Sequence, residues 1–317
     1  MNDTRHTTTP PPRPGKLQRF LASDIVYSWK HQPVVILATL VTLVMFLGAL
    51  FAPWIAPQNP FDPRQLDLID AFAPPLTTSD FTGNFYLLGS DSQGRDVFSA
   101  ILYGSRISLL VGFAAVLFAL VLGTALGLMA GFRGGWRDAL IMRIADVQLT
   151  FPSILMALLI FGVVRGFLPR SMHAEVAIIV LIVAIGLSDW VQYARAVRGA
   201  TLVEKGKEYV QAARVIGLPA RNILFQHILP NVMRPVLVIG TIGLALAIIA
   251  EATLSFLGVG MPATQPSLGT LIRVGQDYMF SGEWWILLFP GLALLMLALS
   301  VNLLGDWLRD VLNPKLR

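Results

Sequence analysis

Residues 208–231 read EYVQAARVIGLPARNILFQHILPN, a polar and basic segment set between long apolar runs. From Lys205 to Ile216 the apolar positions Tyr209, Ala212, Ala213 and Ile216 follow i, i+3, i+4, i+7 spacing, which makes one narrow stripe on a helix. The two alanines at its centre permit close approach by another surface. Gly217 suits a helix C-terminus, and Pro219 prevents continuation. A second short helix is expected over Ala220–Leu229, with Pro230 as a break before the next apolar run. Residues 204–230 then form a helix-turn-helix on a membrane surface, able to pass a push into the spans on either side. The competing reading is an amphipathic helix floating on lipid, for which alanines bury little area.

Composition places the chain in a membrane. Of 317 residues, 55% are hydrophobic and 14% charged, against roughly 25% charged in soluble globular chains. Cysteine is absent, which removes a disulfide framework, thiolate metal sites and a cysteine nucleophile. In a soluble protein the net charge of +5 would suggest anionic partners. Here nucleic acid is not expected, lipid is, and the charge reflects lysine and arginine held on one side. The first apolar run is longer than a signal-peptide core and reads as a retained helix.

Six segments suit the about 20 apolar residues that cross roughly 30 Å of hydrocarbon. They are Val34–Ile55, Ile107–Phe132, Val147–Val164, Val176–Ser188, Pro235–Val259 and Trp284–Gly305. The fourth is the weakest and reaches a full span only with Asp189 and Tyr193 near the cytoplasmic surface. Eighteen of the 24 lysines and arginines fall in the N-terminal tail, the loops after spans two and four, and the C-terminus. The positive-inside rule therefore places both termini, and the 204–230 loop, in the cytoplasm. The expected divisions are an N-terminal tail (1–32), span one (33–56), an external segment (57–105), a core (106–310) and a C-terminal tail (311–317). The tail's TTTPPPRPG stretch reads as disordered, and Lys16–Gln32 as a short surface helix.

The quoted loop resembles the EAA loop of ABC-importer permeases, with Gln211 where a glutamate and His227 where an isoleucine is usual. Three further stretches extend the resemblance to almost the whole chain. Residues 88–98 (LGSDSQGRDVF) with 102–109 (LYGSRISL), 254–260 (LSFLGVG) with 266–269 (PSLG), and 302–310 (NLLGDWLRD) resemble the dipeptide/oligopeptide/nickel permease family. The chain looks like its C-type subunit. The resemblance implies an all-α type I importer permease fold (MetI-like) in the bacterial inner membrane. It implies a second homologous permease as heterodimer partner, two cytoplasmic ATPases, and a periplasmic or lipid-anchored solute-binding protein. Coupling to the ATPases would fall to Glu208, Tyr209, Gln211, Ala212, Ala213, Ile216, Gly217, Leu229 and Pro230. The cargo would be a di- or oligopeptide, or a related solute such as a nickel complex or an opine.

No G-x-x-x-x-G-K-[ST] stretch occurs, so nucleotide phosphates are not cradled here in that way. ATP and magnesium would belong to the partner ATPases, and no cofactor is expected in this chain. The four histidines lie outside the spans with no metal-ligand spacing. Glu251, inside span five, is a candidate for the translocation path; a hydrogen bond to a neighbouring helix is the competing reading. Gly123, Gly127 and Gly131 repeat G-x-x-x-G and predict close helix packing, within this subunit or against the second permease. Arg143 and Asp146 are spaced to pair, and Asp189 is expected to meet a loop arginine. Arg95 and Asp96 either pair locally or touch a binding protein. Pro152 and Pro290 predict kinks, and Trp284 with Trp285 an interfacial aromatic belt. The expectation is a transporter, not an enzyme. The rival transporter is ion-coupled through Glu251.

Overall fold

The computed structural model describes residues 24–312, almost all of the regular structure being helical. The expectation of disorder in the first residues lies outside that range. A short helix, α1 (Asp24–Lys30), precedes the first long one, α2 (Pro33–Leu50). Then follow α3 (Val97–Arg133), α4 (Gly135–Leu149), α5 (Ser153–Gly166) and α6 (Ala177–Glu204). The loop helix is α7 (Glu208–Val215), followed by α8 (Leu229–Phe256), α9 (Leu268–Gln276) and α10 (Trp285–Leu312). Five helices are long and apolar enough to cross a membrane, and α4 with α5 makes a sixth crossing if that pair, bent by 101°, counts as one span.

α3 begins ten residues before the expected span and has 37 residues, about 55 Å of helix at 1.5 Å per residue. Its start is set by Asp96, whose carboxylate accepts from the Ser99 backbone N–H at 2.8 Å and the Ser99 hydroxyl at 2.5 Å. A capped N-terminus outranks the charge of Arg106, which hydropathy alone treats as the edge of the span. α6 likewise continues past Ser188 to Glu204. Tyr193, in the continued part of the helix, is 1% exposed.

The contact between α3 and α6 organises the bundle. A methyl group on Gly123 would stand 2.5 Å from the Trp190 carbonyl, one on Gly127 2.5 Å from the Ala194 carbonyl, and one on Gly131 2.8 Å from Thr201 Cβ. Each glycine thus meets the next turn of α6, so the repeat packs two helices of this chain backbone to backbone.

Several expectations are corrected. The chain does more than kink at Pro152: it breaks, and Pro152 stands just before α5 as its N-cap. Pro230 is no break: the helical stretch Ile223–Ile228 runs directly into α8, and Pro230 is its second residue. Residues 260–283 are not a plain loop, because α9 folds back against α3, α8 and α10. Asp146 pairs with Arg195, not Arg143, since tertiary packing of α4 on α6 offers a second guanidinium. Trp285 is 8% exposed and donates to the Ser90 carbonyl at 3.1 Å, leaving only Trp284 open as a belt residue.

At the end of the bundle opposite α7, residues 56–96 form a cap. Its two-stranded hairpin, β1 (Thr77–Thr78) and β2 (Phe85–Tyr86), is held by Asp70. That carboxylate accepts from the Tyr86 hydroxyl at 2.9 Å and from Ser79 and Thr82. Burial pushes Asp70 up, but the three hydroxyl donors outweigh it and hold the carboxyl below its usual range. Arg95 and Asp96 are not an ion pair. Arg95 donates to the Ala263 carbonyl at 3.0 Å, and Asp96 serves as the helix cap. Burial pushes Asp91 and Asp96 up and Arg95 down.

Candidate functional site

α7 closes with two backbone bonds that wrap a glycine. The Gly217 N–H donates to the Arg214 carbonyl and the Leu218 N–H to the Ala213 carbonyl, both at 3.0 Å. Gly217 has φ +79°, the left-handed conformation this C-terminal motif requires. Leu218 then packs beside Ala213, and the chain turns back through Ala220–Asn222 into a π-helical stretch, Ile223–Ile228. The second helix of the loop exists, but as this widened coil running without interruption into α8.

The apolar residues of α7 and its end divide into two sets. Val210 (0% exposed) and Ala213 (4%) face inward against Ile223, Ile228, Val232 and Val236. Ala212 is exposed, as are Val215 (87%) and Ile216 (76%). Ala213, expected to admit another surface, admits this chain's own returning segment. Val215 was not among the expected residues because it lies off the stripe. Its signal was a second apolar side chain, beside Ile216 and two residues before Gly217, where solvent would favour a polar one.

Polar bonds fasten the loop to the spans it joins. The Tyr209 hydroxyl donates to Glu204 at the end of α6, and the Asn231 amide of α8 donates to the Tyr209 oxygen at 3.1 Å. The same amide reaches the His227 carbonyl at 2.8 Å. Lys207 pairs with Glu204 at 2.6 Å. Burial and then the Glu204 carboxylate push the Tyr209 hydroxyl up. Lys205 Nζ donates to the Gly131 carbonyl at 2.8 Å, closing the end of α3. Gln211 donates to the Lys205 carbonyl at 3.1 Å. Glu208 and Pro230 are exposed, and Leu229 is half-buried. Glu204 and Asn231 lay in the expected loop but not among its expected coupling residues, because the fastening appears only when α6, α7 and α8 meet.

Glu251 stands elsewhere, at 0% exposure between α8, α3 and α9. One carboxylate oxygen accepts from Ser108 and the other from Ser255, each at 2.7 Å. Ser108 also accepts from the Leu268 N–H at 3.3 Å, which ties in the start of α9.

Five apolar spans, six if the bent α4–α5 pair is one crossing, with a fastened polar loop between α6 and α8, suit a multi-pass transport permease. Residues 123–317 match the model of the binding-protein-dependent transport system inner membrane component, and residues 21–75 that of the N-terminal membrane domain of oligopeptide transport permease C. The chain belongs to this family of importer permeases, whose members move solutes and are not enzymes. It is 36% identical over 290 residues to the di/tripeptide transport system permease protein DppC of Pseudomonas aeruginosa, covering 92% of this chain and 91% of that protein. It is 39% identical over 261 residues to the dipeptide permease DppC of Alkalihalophilus pseudofirmus (79% and 82% covered). It is also 36% identical over 290 residues to the glutathione transport system permease protein GsiD of Pectobacterium atrosepticum (90% and 89%).

Proposed function

We propose that this chain imports peptides, or closely related small solutes, across the bacterial inner membrane, driven by separate ATPase subunits that dock on residues 204–230. One observation carries the coupling: Ala212, Val215 and Ile216 form a bare apolar ridge beyond the spans. Such a ridge on a fastened loop calls for a groove on a protein partner. ATP and magnesium are bound in that partner. Tyr209 and Asn231 then pass its movement to α6 and α8 together.

The lysine and arginine distribution supports a cytoplasmic loop and cytoplasmic termini. The remaining partners are a second homologous permease as heterodimer and an external solute-binding protein that selects the cargo. A leading span at 33–56 precedes the core, expected at 106–310; the first helix of that core begins earlier, at Val97, inside the segment expected at 57–105. The peptide cargo rests on the printed functions of the relatives, di/tripeptide, dipeptide and glutathione transport. An ion-coupled mechanism through Glu251 is disfavoured, because both of its oxygens are already taken by serines.

The test is purification of the chain from its own cells in mild detergent, with mass spectrometry of whatever accompanies it, for the wild type and Val215→Asp. A second permease and ATPases should accompany the wild type. The variant should lose the ATPases and ATP-driven uptake. Normal uptake by Val215→Asp would remove the docking claim.

A further inference from the structure

Asp189 was expected beside a loop arginine, and among the described residues no arginine pairs with it. It lies in the body of α6, about 18 Å from Ala177 at 1.5 Å per residue, within the roughly 30 Å of hydrocarbon such a span crosses. The two nearest arginines on its own helix are committed elsewhere. Arg195 pairs with Asp146, and Arg198 holds both oxygens of Asp138 at 2.5 and 2.8 Å. The neighbouring Ser188 hydroxyl donates to the Ile185 carbonyl at 2.7 Å. Among the described residues no ion pair reaches the Asp189 carboxylate. The side chain is half-buried, so it opens at the surface of this subunit. Glu251 is the contrast, sealed and doubly hydrogen-bonded.

Two further features lie at the same level. Tyr193, one turn on, is 1% exposed with no hydrogen-bond partner for its hydroxyl among the described residues. It abuts α8, where a methyl group on Gly243 would stand 2.4 Å from its oxygen. The break in the third crossing is also level with Asp189. Gln148, in the last turn before it, donates to the Leu187 and Ser188 carbonyls at 2.8 Å each and accepts from the Trp190 indole at 2.8 Å. Broken helices at membrane depth persist where they are buried in protein or line a cavity, and in transporters they mark where substrate passes. An ionisable side chain at that depth faces a bundle interior or water, not lipid.

We infer that Asp189 is a cation-recognising point of the translocation path, set at the break in the third crossing, and that it meets the protonated primary amine of the passing cargo. The inference rests on the permease reading above and names a contact within it. A primary ammonium is what a peptide's amino terminus or a lysine side chain presents, and either fits a lone carboxylate.

The chain contains no cysteine, which allows a direct test in the full transporter reconstituted in proteoliposomes. Gln192 is exposed and three residues from Asp189 on the same helix. Gln192→Cys is labelled with a cationic (trimethylammonium-ethyl) and an anionic (sulfonatoethyl) methanethiosulfonate, and modification of this chain is read by mass. Replacing Asp189 with Asn in that background should lower the cationic-to-anionic rate ratio about tenfold, and Asp189→Glu should restore it. An unchanged ratio overturns the inference. So does failure of both reagents to react in every nucleotide state, which would mean that the second permease seals this face. ATP-driven peptide uptake by the wild-type assembly is measured alongside. Its absence would remove the importer reading itself, whatever the labelling ratio.

Discussion

The Asn231 side chain at the start of α8 donates a hydrogen bond to the Tyr209 hydroxyl of α7 at 3.1 Å, while that hydroxyl donates to Glu204 at the end of α6. One phenol thus joins the loop helix to both spans that flank it. A push on α7 need not be absorbed by bending of the connections, because three helices share one polar junction.

Tyr209→Phe keeps the ring and deletes the junction. In proteoliposomes containing the whole assembly, ATP hydrolysis should persist while solute moved per ATP falls severalfold; loss of one or two hydrogen bonds costs about 0.5–1.5 kcal/mol each. Equal stoichiometry for wild type and variant would show that the junction transmits nothing.

Gly217→Val should be worse than Gly217→Asn. At φ +79° a β-branched residue is strained, whereas asparagine tolerates the left-handed region, the general penalty being about 1–2 kcal/mol. No side chain crowds Gly217, so the effect is conformational. Recovery of ATPase with the purified permease should follow the order Gly, Asn, Val, and a reversed order would count against the turn as the determinant.

Gly127→Leu should block accumulation of the protein, and Gly127→Ala should lower its thermal midpoint. A methyl group there lies 2.5 Å from the Ala194 carbonyl, and overpacking of this kind costs about 1–3 kcal/mol. If both variants accumulate and melt like the wild type, the α3–α6 contact is not close in solution.

Glu251→Leu should destabilise the meeting of α3, α8 and α9 by about 1–3 kcal/mol for each serine left unpaired in a buried site. Glu251→Gln should be milder, because its amide oxygen still accepts. Uptake should survive a protonophore as long as ATP is maintained. Collapse of uptake under protonophore with ATP intact would restore the ion-coupled alternative.

The Asp70 carboxyl is held below its usual range in the folded cap. The folded state therefore binds its proton less readily than the unfolded chain, and the stabilisation is complete above the unfolded value of about 3.9. It should be lost as pH falls from there through the folded value. Protease cleavage between Thr77 and Tyr86 should accelerate over that acid interval in the wild type and depend less on pH in Asp70→Asn. Matching pH profiles would remove Asp70 as the fastening of the hairpin.

Much of the fold follows from one-dimensional chemistry. Runs such as Val34–Ile55 and Trp284–Gly305 must leave water, and a backbone in hydrocarbon must satisfy its own hydrogen bonds, so helices at those places were determined by sequence. Gly217 likewise declared its turn, because only a residue without Cβ takes that conformation freely. The Gly123, Gly127 and Gly131 spacing declared a close contact but not its partner. That partner, α6 of the same chain, was decided only in three dimensions.

Boundaries and pairings needed the tertiary structure. Asp96 moves the start of α3 outward through a cap, which hydropathy does not sense. Asp146 had Arg143 within reach along its own helix, yet the packing of α4 on α6 gave it Arg195. Periodicity placed Ala212 and Ala213 on one stripe, and only the return of Ile223–Ile228 over Ala213 decided which of them faces outward. Glu251 and Asp189 are both carboxylates in apolar helices, alike in sequence. Folding surrounds the first with serine hydroxyls from two helices and leaves the second open at the subunit surface. The sequence specifies which groups must leave water; which partners they then find depends on contacts between residues far apart in the chain.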